Sequence, residues 1–262
     1  MPMTINWILE RVEESGSTNE DLLKRWREGQ LWEPVARKAL KQTAGRGRMG
    51  RTWVSQDNQA LTFSAAYPFN KSIAQLSGLS LACGLAVIKG ISSATNITEH
   101  QLETMGLGLK WPNDVLLHQK KLAGLLIEGG QTNADQPTWI VIGIGVNLRS
   151  FDAIKNGLDQ EIAGLDQLGG SVPIDADVLW LAILKELAAV IQKFERESFN
   201  SLKEEWNKWD VFKNQLCSIY QDKKMLHEGI ERGVDELGYL LLESNGQIQK
   251  IVSGDVSLRK LT

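Results

Sequence analysis

Between Val35 and Gln56 the chain carries Arg37, Lys38, Lys41, Arg46, Arg48 and Arg51 and no acidic residue. Gly45, Gly47 and Gly50 interleave with the last three arginines. Glycine lets a backbone turn sharply and approach a ligand, so N–H groups and guanidinium forks in such a segment can wrap a phosphate together. A second group, Lys110-Trp111-Pro112-Asn113-Asp114, sets a cation and a carboxylate on either side of a proline turn. Lys121-Leu122-Ala123-Gly124 follows across a short turn. Taken singly, the glycine loop reads equally well as a solvated basic turn, and either lysine stretch reads better as a surface hairpin or an ordinary Pro-Asn-Asp turn. Their joint occurrence points to chemistry on anions held at strand ends, where side chains project from a rigid sheet.

Two common phosphate motifs are excluded. Gly45-x-Gly47-x-x-Gly50 has the dinucleotide spacing, but that fingerprint needs a helix directly after it, and Arg51 to Ala66 reads as turn and strand. No Gly-x-x-x-x-Gly-Lys-Ser/Thr segment occurs. His100, His118 and His227 have neither metal nor triad spacing and read as surface residues. Cys83 and Cys217 lie far apart and read as buried or inert thiols of a reducing cytosol.

The elements that must position these groups follow from periodicity. A short strand near Ile8 to Val12 leads to Ser17-Thr18-Asn19-Glu20, which has capping-box spacing, and Leu22, Leu23 and Trp26 then recur at helical intervals. Pro34 to Lys41 and Leu61 to Ala66 read as strands joined by the glycine loop. Ile73 to Ile91 reads as a buried helix and Ser92 to Met105 as a polar excursion. Leu107 to Trp111, Leu122 to Glu128 and Trp139 to Val146 read as central sheet. Leu179, Ile183, Leu187, Val190, Ile191 and Phe194 mark an amphipathic helix, with Trp206 and Trp209 closing against the sheet. After Asp210 the character changes to short strands at Leu216 to Tyr220, Met225 to Ile230, Tyr239 to Glu243 and Gln247 to Val252. Asn245-Gly246 supplies the favoured two-residue hairpin turn.

With 262 residues the chain can bury a proper core, which excludes a stapled mini-protein. Its net charge of -3 provides no global field for a polyanion, so any anion site is local and a nucleic-acid-binding module is disfavoured. The start lacks a basic segment followed by an apolar one, and the longest apolar stretch is broken by Gln75, Ser77, Ser80 and Lys89. A cytoplasmic protein with no membrane partner is expected.

Five stretches together carry a family resemblance: Ser17-Thr18-Asn19, Gln42 through Trp53, Lys110 through Asp114, Lys121 through Gly124, and Gly143-Ile144-Gly145-Val146-Asn147. In order and approximate spacing they resemble the biotin-protein ligases, from about Ser17 to Ser257-Leu258-Arg259. The resemblance implies an α+β fold: a class II synthetase-like mixed sheet with flanking helices over residues 1–210, then a small SH3-like barrel over residues 211–262. It implies a ligase that uses ATP and biotin as substrates, with Mg2+, and modifies a biotin carrier protein domain.

The same resemblance distributes roles among residues. Ser17, Thr18, Asn19, Gln42, Arg46, Gly47, Arg48, Lys121 and Gly124 would contact biotin, whose ureido ring offers donors and acceptors that short polar side chains can meet. Arg48, Trp53, Lys110, Asn113, Asp114 and Asn147 would hold ATP, with Asp114 also a metal ligand. Arg46, Arg48 and Lys121 would act on the reacting carboxylate and phosphate. Position 49 is Met where some relatives have another basic residue, which leaves Arg46 and Arg48 in place. Only sixteen residues precede Ser17, where many relatives carry a helix-turn-helix domain, so sequence-specific DNA binding is not expected. Dimerisation along a sheet edge is left open. A lipoate-loading ligase shares the general chemistry but not the Lys-Trp-Pro-Asn-Asp and Gly-Arg-Gly-Arg stretches.

Overall fold

The computed structural model describes residues 5–54, 59–131, 135–150, 161–169, 174–221, 224–252 and 256–260, so Gln56, the end of the basic stretch, lies outside it. Seven strands make the main sheet: β1 (Ile8–Ser15), β2 (Val35–Gln42), β3 (Ala60–Phe69), β4 (Leu107–Lys110), β5 (Asp114–Leu117), β6 (Lys120–Gly130) and β7 (Thr138–Asn147). Their spatial order is β1-β2-β3-β7-β6-β5-β4. β1 and β2 run parallel, which requires a crossover, and α1 (Thr18–Arg27) supplies it. All other neighbours are antiparallel.

The central strands β3 and β7 are apolar on both sides, and helices cover both faces of the sheet there. On one face Leu22 and Leu23 of α1 pack with Val35, Ala66 and Val141. On the other, α2 (Leu79–Thr95) and α4 (Ala176–Glu197) pack together over the larger core. The six apolar residues that the sequence pattern places on the inner stripe of α4 are all buried there. At about 1.5–3 kcal/mol for a fully buried Leu, Ile or Phe, that stripe alone outweighs any single polar contact at the surface. No helix among the described residues is long and apolar enough to cross a membrane.

A second, antiparallel sheet follows α5 (Lys203–Trp209): β8 (Leu216–Gln221), β9 (Lys224–Val234), β10 (Leu240–Ser244), β11 (Gln247–Ile251) and β12 (Ser257–Lys260), in the order β11-β10-β9-β8-β12. Asn245 and Gly246 both have positive φ, 52° and 74°, as their hairpin turn demands. This sheet is docked firmly. Trp111 Nε1 donates to Gly238 O at 3.1 Å, Ser77 Oγ to Leu237 O at 2.6 Å, and Val234 N to Asn207 Oδ1 at 2.9 Å.

Four expectations need correction. The helix expected from Ile73 is a 3-10 turn over Ile73–Leu76 and then a break, because Gly78 has φ 80° and abuts Phe199 and Gly238; α2 starts at Leu79. The polar excursion holds the end of α2 and a further helix, α3 (Glu99–Thr104), capped by a reciprocal Thr98–Gln101 box. Asp114–Leu117 and Ser257–Lys260 are strands that were not anticipated. The capping box at Ser17 does not form: Ser17 makes no side-chain cap bond, and Glu20 turns instead to Arg27 and Arg46.

Candidate active site

The glycine loop is a folded hairpin. Gly47 N donates to Arg51 O at 2.7 Å and Trp53 N to Gly45 O at 2.9 Å, while Arg46 and Thr52 form a bridge between its arms. Arg37, Lys38 and Lys41 do not join the loop arginines. They stand on β2 and pair with carboxylates of β1, α1 and the start of α4: Arg37 with Glu10 and Asp21, Lys38 with Asp177, Lys41 with Glu14. Only Arg46, Arg48 and Arg51 of the basic stretch line the cleft.

That cleft, enclosing about 1170 Å³ including its open mouth, brings together all fourteen residues named above as biotin or ATP contacts. At one end the start of α1 meets β2 and β3 in a buried polar row. Gln42 Oε1 accepts from Thr18 N at 2.8 Å and Thr18 Oγ1 at 3.1 Å, so a β2 side chain satisfies a helix N–H that would otherwise be orphaned. Thr18 Oγ1 lies 2.7 Å from Ser64 Oγ, which donates to Asn19 Oδ1 at 2.6 Å. Asn19 Nδ2 in turn donates to Glu128 Oε2 at 2.9 Å.

The floor is bare backbone. Gly124 of β6 and Gly145 of β7 are direct partners across the sheet. A methyl at 145 would lie 2.5 Å from Trp53 Cζ2, and one at 124 would lie 2.9 Å from Lys121 Cε. The Trp53 ring therefore rests on glycine, and Lys121 Nζ sits 5.7 Å from its centroid. Gly143 performs the same service for Asn19, whose Cγ would be 2.9 Å from an added methyl. Asn147 Nδ2 donates to Lys121 O at 3.1 Å, fixing the strand that carries the lysine.

The far end is cationic. Lys110 and Asp114 are partners across the β4–β5 hairpin, and Lys121 Nζ lies 2.8 Å from Asp114 Oδ1 as an ion pair rather than an aligned hydrogen bond. Burial penalises the Asp114 carboxylate, yet the Lys121 and Lys110 ammoniums outweigh it and hold the carboxyl below the usual range. Burial is also the main influence pulling the Lys110 pKa down; Asp114 opposes it, while Lys121, Arg51 and Arg259 reinforce it. Arg48 Nη1 donates to Asn113 Oδ1 at 3.2 Å, tying the loop to the β4–β5 turn. One carboxylate among several cations leaves a positive surplus that an anion can neutralise.

Several contributors had little or no sequence signal. Ser64 and Glu128 are distant in the chain and ordinary in type, and Glu20 stands out in the sequence only as part of a capping box. Arg51 was visible in the basic stretch. Arg259 is felt at this end only through its charge, its guanidinium lying over Tyr220, while its neighbours Val256, Ser257 and Leu258 form part of the cleft wall.

One cleft thus combines a polar recess, a glycine floor and a cationic end, an arrangement suited to an enzyme that holds a polar ring and an anion side by side. Residues 12–147 match the biotin/lipoate A/B protein ligase family and residues 219–259 the biotin protein ligase C-terminal domain. The chain belongs to the biotin/lipoate A/B protein ligase family. It is 34% identical over 244 residues to the bifunctional ligase/repressor BirA of Escherichia coli, covering 93% of this chain and 71% of that protein. It is 33% identical over 249 residues to the biotin acetyl-CoA-carboxylase ligase of Mycobacterium tuberculosis, covering 95% and 88%. The structure of the Aquifex aeolicus biotin protein ligase in complex with biotin and ATP superposes with TM-score 0.77 at 28% identity, covering 97% of this chain and 99% of that one.

Proposed function

We propose that this chain activates biotin with ATP and transfers it to a lysine of a biotin carrier domain such as that of acetyl-CoA carboxylase. The biotin carboxylate attacks the α-phosphorus of ATP, a phosphoanhydride bond breaks, and pyrophosphate leaves with biotinyl-5'-AMP formed. The carrier amine then attacks the acyl carbon, AMP departs and the amine loses a proton. No nucleophilic side chain of the enzyme is needed.

The observation that carries this reading is the placement of the Thr18, Asn19 and Gln42 row and the Lys110, Asp114 and Lys121 cluster at opposite ends of one glycine floor. The first suits a ureido ring and the second a triphosphate. Arg46, Gly47 and Arg48 close over the junction, Ser17 and Gly124 flank the biotin side, and Trp53, Asn113 and Asn147 flank the nucleotide. Bringing two anions together is the main barrier, and fixed cations offset it as in other phosphoryl chemistry. A loop that excludes water also protects the hydrolysable anhydride.

Mg2+ belongs to this reading as the companion of ATP. Among the described residues Asp114 is the one carboxylate that lines the phosphate end, and they contain no group of three or more His, Cys, Asp or Glu side chains that could cage an ion. That donor set suits a Mg2+ held mainly by phosphate oxygens and water, with Asp114 supplying a protein oxygen. Residues 1–210 serve as the catalytic domain and 211–262 as the C-terminal one. The proposed setting is the cytoplasm, which suits two buried free cysteines.

The test is incubation with biotin, MgATP and a carrier domain, followed by intact mass measurement of the carrier. A biotinyl adduct on one lysine is expected. No adduct and no ATP consumption would overturn the reading, and modification with lipoate in place of biotin would move the chain to the other branch of its family.

A further inference from the structure

The polar recess and the glycine loop meet at one side chain. Glu128 of β6 divides its oxygens: Oε2 accepts from Asn19 Nδ2 at 2.9 Å and Oε1 from Arg46 Nη2 at 2.8 Å. Asn19 is buried, and its other amide atom is committed to Ser64, so the amide has a single orientation. Arg46 Nη1 continues to Glu20 Oε2 at 2.6 Å, one turn into α1. Arg46 and Glu20 are each close to half exposed, and a surface ion pair of that kind contributes little by itself. Glu128 differs: its side chain is 24% exposed, and it serves a buried amide and a loop cation at once. A neutral amide at 128 has one acceptor and must turn an NH2 toward the other donor.

We propose that Glu128 is a positioning residue that sets the loop arginine and the Asn19 amide in one register, so that loop closure and the shape of the acid-binding recess are fixed together. The proposal rests on the ligase reading above. Arg46 is thereby held at the mouth of the cleft between two carboxylates, aligned before substrate arrives. Glu20 ties the loop to Arg27 of its own helix, whereas Glu128 ties the loop to the recess.

The experiment uses the full chain with Glu128→Gln and Glu20→Gln, reading single-turnover adenylate synthesis against biotin concentration and the release of adenylate into solution. Glu128→Gln is expected to raise the half-saturating biotin concentration about tenfold and to speed release, with the saturating rate within about twofold of wild type. Glu20→Gln is expected to speed release alone. Melting temperatures without ligand serve as the check on folding, and Glu128→Asp, which keeps the charge, should recover part of the affinity. Unaltered half-saturation and release in Glu128→Gln, or an equal loss of saturating rate in both variants, would overturn the proposal. A wild-type chain that forms no adenylate would instead sink the ligase reading and this proposal with it.

Discussion

Trp53 lies against Gly145, so close that an alanine there would put its methyl 2.5 Å from ring atom Cζ2. Gly124 stands directly opposite Gly145, so no side chain on either strand lifts the ring from the sheet. Gly145→Ala must displace the ring, and overpacking of this kind costs about 1–3 kcal/mol. The expected outcome is a loss of ATP affinity of about tenfold or more with biotin affinity retained, measured by titration calorimetry with each ligand separately. Gly143→Ala crowds Asn19 instead, and should weaken biotin and spare ATP.

Lys121 sits beside Asp114 and over Trp53, with its backbone held by Asn147 and by Glu161 and Ala163. In the proposed reaction it is the cation at the meeting point of carboxylate and phosphate. Removing a group that stabilises charge mainly in the transition state lowers rate by about 10²- to 10³-fold. Lys121→Ala should therefore slow adenylate formation by that factor in single-turnover experiments, and unchanged synthesis would take the lysine out of the mechanism.

The parts of this site written into contiguous sequence were legible, and those created by topology were not. Gln42 through Trp53, Lys110 through Asp114 and Lys121 through Gly124 announce themselves because glycine, proline and repeated cations have few neutral uses together. The α4 stripe was equally plain from its period. Ser64 and Glu128 were invisible because a lone Ser or Glu on a strand carries no pattern; only the order β3-β7-β6 brings both to Asn19. The six basic residues from Arg37 to Arg51 look like one island, yet the period of β2 and the carboxylates of β1, α1 and α4 take the first three away. The Ser17 capping box had the right spacing and failed because Arg46 and Arg27 compete for Glu20.

Arg48 links the loop to Asn113 in the turn between β4 and β5. Arg48→Ala removes that link and a cation from over the anhydride. The expected outcome is escape of the adenylate, detected as biotinylation of bystander amines on a protein that is not a carrier. Retention of the adenylate at the wild-type level would place closure elsewhere in the loop.

Asp210, after α5, and Glu231, on β9, form a buried acid pair at the seam between the two sheets. Asp210 Oδ1 accepts from Phe212 N and Glu231 Oε1 from Gly233 N, while Asp210 Oδ2 and Glu231 Oε2 are buried without another donor. A proton shared between the carboxyls satisfies both oxygens. Burial pushes Glu231 up to about 9, with the Asp210 charge adding to it, and pushes Asp210 up to about 6; Lys213 opposes both shifts. Both folded values exceed the ordinary carboxyl range, so the folded chain keeps a proton that the unfolded chain has released. The pair's contribution is complete in acid below that range and is lost as pH rises from that range through about 6 and on to about 9. Thermal melts across that interval should show falling stability, and Glu231→Gln, whose NH2 can donate to Asp210 without titrating, should flatten the decline. The difference between wild type and variant isolates the pair from other titrating groups. Parallel slopes in the two proteins would mean that no proton is held at the seam.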